Sequence, residues 1–145
     1  MERLLLESIF LTCVIILIFL YIKLFRNIIH YRRKFKISIG DSNNLPLLRS
    51  IRAHANFNEN VPFSLLVLMF LYFHNLLIFC CISILMLLIG RFLHSKGILD
   101  QNEKDKNFNF RVKGMKLTIY SYYVAIIGLI YYLAQTFYFF ISNFS

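Results

Sequence analysis

The sequence has little that interrupts it. Glycine and proline number five and two in 145 residues, so the apolar runs continue largely without breakers. Acidic residues are also few, seven against sixteen lysines and arginines. The three cysteines, Cys13, Cys80 and Cys81, all fall inside apolar runs. Their spacing suits neither a disulfide framework nor a zinc site, and they read as small buried hydrophobes. The four histidines form no HxxxH or HExxH pair, which argues against a metal. The first apolar run has a weak basic region before it and no small-residue cleavage site after it. Further runs follow, so it reads as a retained span and not a signal peptide.

What is abundant is hydrocarbon. The chain is 59% hydrophobic, with 16 Phe and 9 Tyr, too apolar for a soluble domain of this size. Its length suits one domain, residues 1–145. The formal charge of +9 would also suit a nucleic-acid binder. These cations edge apolar runs of membrane length, however, so lipid headgroups are the expected partners and nucleic acid is not. Fifteen of the sixteen basic residues lie in two stretches, residues 23–52 and 91–116. The connection between the two apolar runs that separate them is tiny, and the C-terminal end carries no charged side chain. By the positive-inside rule both basic connections face the cytoplasm, and both chain ends face away from it.

This pattern predicts an all-α integral membrane bundle of four helices. The first span covers residues 4–25, and its helix continues beyond the lipid to about residue 36. The segment SIGDSNNLP is the clearest turn, with Asn44 placed to cap the next helix and Pro46 in its first turn. The second helix is expected over residues 45–74. About 13 apolar residues at its end are too few to cross ~30 Å of hydrocarbon, so its polar first half should enter the bilayer facing the bundle interior. Pro62 should kink it. After a break at His74 and Asn75, the third span covers residues 76–93. Residues 96–109 form a mixed-charge connector, and the fourth helix covers residues 110–141.

On a helical wheel Arg49, Arg52, Asn56 and Glu59 fall within about 80° of one another. Charges at membrane depth are expensive and mark function by default. Arg offers paired donors to a carboxylate, Asn a donor and an acceptor, and Glu an acceptor for an ammonium. A site for a small zwitterionic or anionic ligand is one reading; neutralisation of neighbours between helices is the other. Arg111, Met115, Thr118 and Tyr122 form a matching stripe, within about 60°, on the fourth helix. Arg111 could hold an anion or keep a thiol as its thiolate; the plain alternative is a positive-inside arginine. Arg91 and His94 share a face. His54 points about 160° away from Arg52 and Asn56 and belongs elsewhere.

At IGDSNN (39–44), R-x-x-RAHANFNENVP (49–62), GRFLHSKG (90–97) and RVKGMKLT (111–118) the chain resembles the membrane-associated proteins in eicosanoid and glutathione metabolism, the MAPEG family. The resemblance is strongest to bacterial members. It implies a homotrimer of four-helix subunits binding glutathione, as co-substrate and without metal, between neighbouring subunits near the cytoplasmic face. Arg52, Asn56 and Glu59 match the family's ligand-binding residues on the second helix. Asn60 stands where a Tyr is usual. Arg91 matches on the third helix, with His94 where eukaryotic members carry a Tyr. Arg111 matches the arginine that activates the glutathione thiol. The implied activity is a glutathione-dependent transferase, or peroxidase, acting on lipophilic small molecules drawn from membrane lipid. The implied location is a bacterial inner membrane, with the termini periplasmic. Some members only present lipid to a partner enzyme, so a non-catalytic scaffold of the same fold is the alternative.

Overall fold

The computed structural model describes residues 1–100 and 108–144. These form four helices: α1 (Glu2–Phe35), α2 (Leu45–Phe73), α3 (Leu77–Leu99) and α4 (Asn109–Phe144). Three of them, α1, α3 and α4, are long and apolar enough to cross a membrane. The second is excluded by its polar first half and not by length, since 29 residues reach about 44 Å.

Local chemistry sets the ends. The first helix closes at Lys36, in the left-handed conformation at φ 54°, whose N–H reaches the carbonyls of Arg32 and Arg33. The Arg32 guanidinium then donates to the carbonyls of Ser38 at 2.9 Å and Gly40 at 3.2 Å. That contact folds the connector back on the end of α1. The Asn44 side chain caps α2 by accepting from the Leu47 N–H at 3.1 Å, with Pro46 in the first turn as expected. At the far end His74 caps α2. Asn75, at φ 61°, turns the chain straight into α3.

The third helix is the hub, packing on each of the others. Leu17 and Leu24 of α1, Leu68 and Leu71 of α2, and Ile84 and Leu87 of α3 fill the core. Much of the outside is apolar and exposed, including Ile18, Phe19, Leu66, Ile126 and Ile130. That is the surface lipid requires. Because lipid tails are as apolar as leucine, apolar burial gives little drive for helices to associate there; close packing must supply it. The α3–α4 pair shows how. On α4 the buried small residues Gly114, Thr118, Ser121, Ala125 and Gly128 recur at alternating steps of four and three, a seven-residue seam. A Cβ added to Gly114 would lie 2.5 Å from the His94 nitrogen and 2.6 Å from the Gly90 carbonyl oxygen. Glycine there is a condition of the contact. The Ser83 hydroxyl crosses the seam to the Ser121 carbonyl at 2.7 Å.

Two boundaries differ from expectation. Residues 96–99 are helical and not part of the connector. Gly97 and Ile98 are buried there, and Gly97 packs against Phe110 and Arg111, so tertiary contact extends the helix past its polar residues. The fourth helix runs beyond residue 141, to Phe144. Most of the expected 96–109 connector, residues 101–107, lies outside the described residues. The second helix is assigned as continuous through Pro62. All three cysteines are buried and free. The Cys80 thiol donates to the Leu68 carbonyl and that of Cys81 to the Leu6 carbonyl.

Candidate functional site

At the basic end of the bundle a cavity of about 400 Å³ opens between α2, α3 and α4. Arg49, Arg52 and Asn56 come from α2, His94 from α3 and Arg111 from α4; Leu48, Ile98 and Met115 supply apolar walls. Three guanidiniums converging with one amide make a strongly electropositive recess.

Behind this cavity lies Arg91, 2% exposed. Its Nε and Nη2 donate to the Thr118 hydroxyl at 3.0 and 2.5 Å. Its Nη1 donates to Asn56 Oδ1 at 2.7 Å. The planar guanidinium thus ties α3 to α2 and α4 at once, a geometry a lysine could not reproduce. The contact also orients Asn56. With its amide oxygen taken by Arg91, Asn56 brings an N–H₂ donor to the cavity. Arg91 therefore sets a cavity-lining group without itself lining the cavity.

Arg49 is placed by the end of α3. Its Nη1 donates to the Ile98 carbonyl at 3.1 Å and also to the Asp100 carbonyl, a cation at a helix C-terminus satisfying carbonyls the helix leaves open. Arg111 lies in the first turns of α4, half-buried, with its guanidinium carbon 5.5 Å from the centre of the Phe108 ring. Gly97 makes room for it, since a Cβ there would fall 2.7 Å from Arg111 Cγ. Arg111 also borders a second recess of about 440 Å³, which shares His94 and Met115 and adds Phe108 and Val112. A polar cavity and a largely apolar one thus share Arg111, His94 and Met115.

Of the seven expected site residues, Arg52, Asn56, His94 and Arg111 share the cavity, and Arg91 supports it from behind. Glu59 and Asn60 do not line it. Glu59 is exposed on a single chain, about two turns from Arg52. The Asn60 amide donates to the Asn56 carbonyl within its own helix at 2.8 Å, and the Asn60 carbonyl accepts from Tyr122 Oη at 3.0 Å. The α4 stripe does face one way: Arg111 and Met115 reach the cavity, Thr118 reaches Arg91, and Tyr122 reaches Asn60. His54 faces α1, its ring 5.2 Å from Tyr21 and 5.8 Å from Phe25. Leu48, Ile98 and Phe108 were not singled out in the sequence, because an aliphatic or aromatic residue beside a helix end carries no local mark of lining a cavity.

Fold and site together define a helical multi-pass membrane protein with an arginine-lined cavity at its basic end. The MAPEG family model matches residues 10–140, and the chain belongs to that family, which includes glutathione-dependent transferases and peroxidases. No curated protein and no solved structure matches it.

Proposed function

We propose that the protein is a membrane-embedded glutathione-dependent transferase acting on lipophilic electrophiles, with peroxidase chemistry open to the same thiolate. The observation that carries this reading is that Arg111 lines both the polar cavity and the apolar recess. Arg49, Arg52 and the Asn56 amide supply donors for the carboxylates of the tripeptide. Arg111 stabilises its thiolate at the boundary, and the acceptor enters the recess beside Phe108 and Val112 from the bilayer. The thiolate sulfur then bonds to the electrophilic carbon as the leaving group departs with the bond's electron pair. With a hydroperoxide, the thiolate attacks the distal oxygen, releases the alcohol and leaves a sulfenate; a second glutathione attacks its sulfur to give the disulfide and hydroxide, which takes up as water the proton lost when the thiolate formed. Stabilising a thiolate by two pKa units corresponds to ~2.7 kcal/mol, within reach of one partly desolvated guanidinium.

The site is completed between subunits of a homotrimer in this reading. Arg52 and Glu59 both stand exposed on the single chain, and charges at membrane depth need partners. Glu59 would meet the ligand's ammonium at that interface. The basic end faces the cytoplasm of a bacterial inner membrane, with the termini periplasmic. One observation favours a non-catalytic scaffold instead: the Asn60 amide is bound within its own helix and offers the ligand nothing.

The test is glutathione binding to detergent-purified protein, followed by thiolate absorbance of bound glutathione across pH. We expect binding and a titration midpoint about two units below that of free glutathione. Absence of binding would replace the enzyme by the scaffold.

A further inference from the structure

On the far side of α3 from the arginine-lined cavity, a second crevice of about 550 Å³ runs between α1 and α3. No residue lines both. Its walls are apolar: Leu20 and Leu24 from α1, Phe92 and Leu93 from α3. Leu20 and Leu24 are buried, whereas Phe92 is 43% exposed, so the crevice is open on the outside of the bundle. Lys23 and Lys96 line it from the two helices together with Asp100, and the Lys96 ammonium stands 4.7 Å from the centre of the Phe110 ring on α4. Two ammoniums and one carboxylate leave one net positive charge. Both lysines are exposed, so their flexible stems can follow the apolar wall while the charged heads remain at the polar edge.

We propose that this crevice is a binding site for an anionic phospholipid of net charge −1. One acyl chain lies along Leu20, Phe92 and Leu93, and the phosphate sits between Lys23 and Lys96, drawing the Lys96 ammonium from the Phe110 ring. Three features support that occupant. The apolar wall continues the lipid-facing surface of α1, where Ile18, Phe19 and Ile22 are also exposed. Leu20, Phe92 and Leu93 stand three to four residues, roughly 5–6 Å, to the membrane side of the two cations, as an amphiphile requires. The charge is supplied from two different helices, so it marks a point on the bundle and not merely a basic helix tail. A bound lipid would hold the inner end of α1 against α3, where α3 also carries His94 into the arginine-lined cavity.

The chain contains no tryptophan, which gives a local readout. Phe92→Trp, at a half-exposed aromatic position, introduces one indole in the crevice. In nanodiscs, its quenching by phosphatidylglycerol brominated on the acyl chains is compared with that by brominated phosphatidylcholine. We expect about fivefold preference for the anionic lipid, the worth of one net charge at a membrane surface. Lys23→Ala with Lys96→Ala should abolish or reverse that preference, while Lys34→Ala with Lys36→Ala, which removes the same charge elsewhere, should preserve it. Equal quenching by the two lipids overturns the proposal. So does equal loss in both double variants, which would mean diffuse surface attraction, and so does an indole quenched by neither lipid, which would mean that protein covers the crevice. Native mass spectrometry of the unsubstituted protein from mixed nanodiscs gives the same comparison without a variant: enrichment of phosphatidylglycerol supports the site, and bulk composition refutes it.

Discussion

Replacing Gly114 by alanine tests the packing logic of the bundle with a single methyl group. A Cβ there would stand 2.5 Å from the His94 nitrogen, 2.6 Å from the Gly90 carbonyl oxygen and 2.8 Å from His94 Cβ. Two of the three obstacles are backbone atoms, so no rotamer change relieves them. Restoring an ordinary 3.4 Å contact from 2.5 Å requires α3 and α4 to separate locally by roughly 0.9 Å. A gap of that size forfeits a quarter to a half of the dispersion energy of each facing atom pair, and overpacking of this kind costs about 1–3 kcal/mol. We expect the upper part of that range. The Arg91 bonds to Thr118, one turn further along α4, would stretch with it. Gly128→Ala is the matched comparison, because its Cβ would meet Phe79 Cγ, Phe79 Cβ and Leu71 Cδ1 at 3.0 to 3.2 Å, so that a displacement of a few tenths of an ångström restores ordinary contact; about 1 kcal/mol or less is expected. The assay is reversible unfolding in mixed detergent micelles, followed by far-UV circular dichroism. If Gly114→Ala and Gly128→Ala lie within about 0.5 kcal/mol of each other, close approach at Gly114 does not hold the pair together.

Four further outcomes are expected. Arg52→Ala should raise the KM for glutathione with little change in kcat, whereas Arg111→Ala should chiefly lower kcat and return the bound thiol toward its free titration midpoint; steady-state conjugation of a model aryl halide reads both. An unchanged midpoint and kcat in Arg111→Ala would make that residue a membrane anchor. Arg91→Met should weaken glutathione binding about tenfold, although Arg91 does not line the cavity, because Asn56 loses the partner that turns its N–H₂ outward; isothermal calorimetry showing unchanged affinity would contradict this. Native mass spectrometry of detergent-solubilised protein should find trimers, and monomer at every concentration would count against an intersubunit site. A cysteine introduced by Ser42→Cys should resist an impermeant thiol reagent applied to intact cells, and rapid labelling would reverse the topology.

The course of the chain is legible in the sequence because its determinants are local. An apolar run in lipid must be helical to satisfy its own backbone. Asn44 with Pro46 starts α2, and His74 with Asn75 ends it, through contacts made within a few residues. The arginine-rich face of α2 is legible for a similar reason, since helical periodicity alone puts Arg49, Arg52, Asn56 and Glu59 on one side. Periodicity discards distance along the axis, however. Arg52 and Glu59 share an angle but stand about 10 Å apart along the helix, and only Arg52 reaches the cavity. Arg91 and His94 share a face of α3 as well. Only the arrival of Asn56 and Thr118 from two other helices turns Arg91 inward, and only the close approach of α4 brings His94 beside Arg111. The end of α3 was likewise undecided locally. Lys96 and Gly97 look like the start of a connector until α4 packs on Gly97 and Arg49 takes up the last carbonyls. Composition, helices and polar faces thus follow from short-range chemistry. Which of those polar groups line the cavity and which support it from behind depends on the axial register of one helix against the next, and that register is set by where small residues let backbones meet.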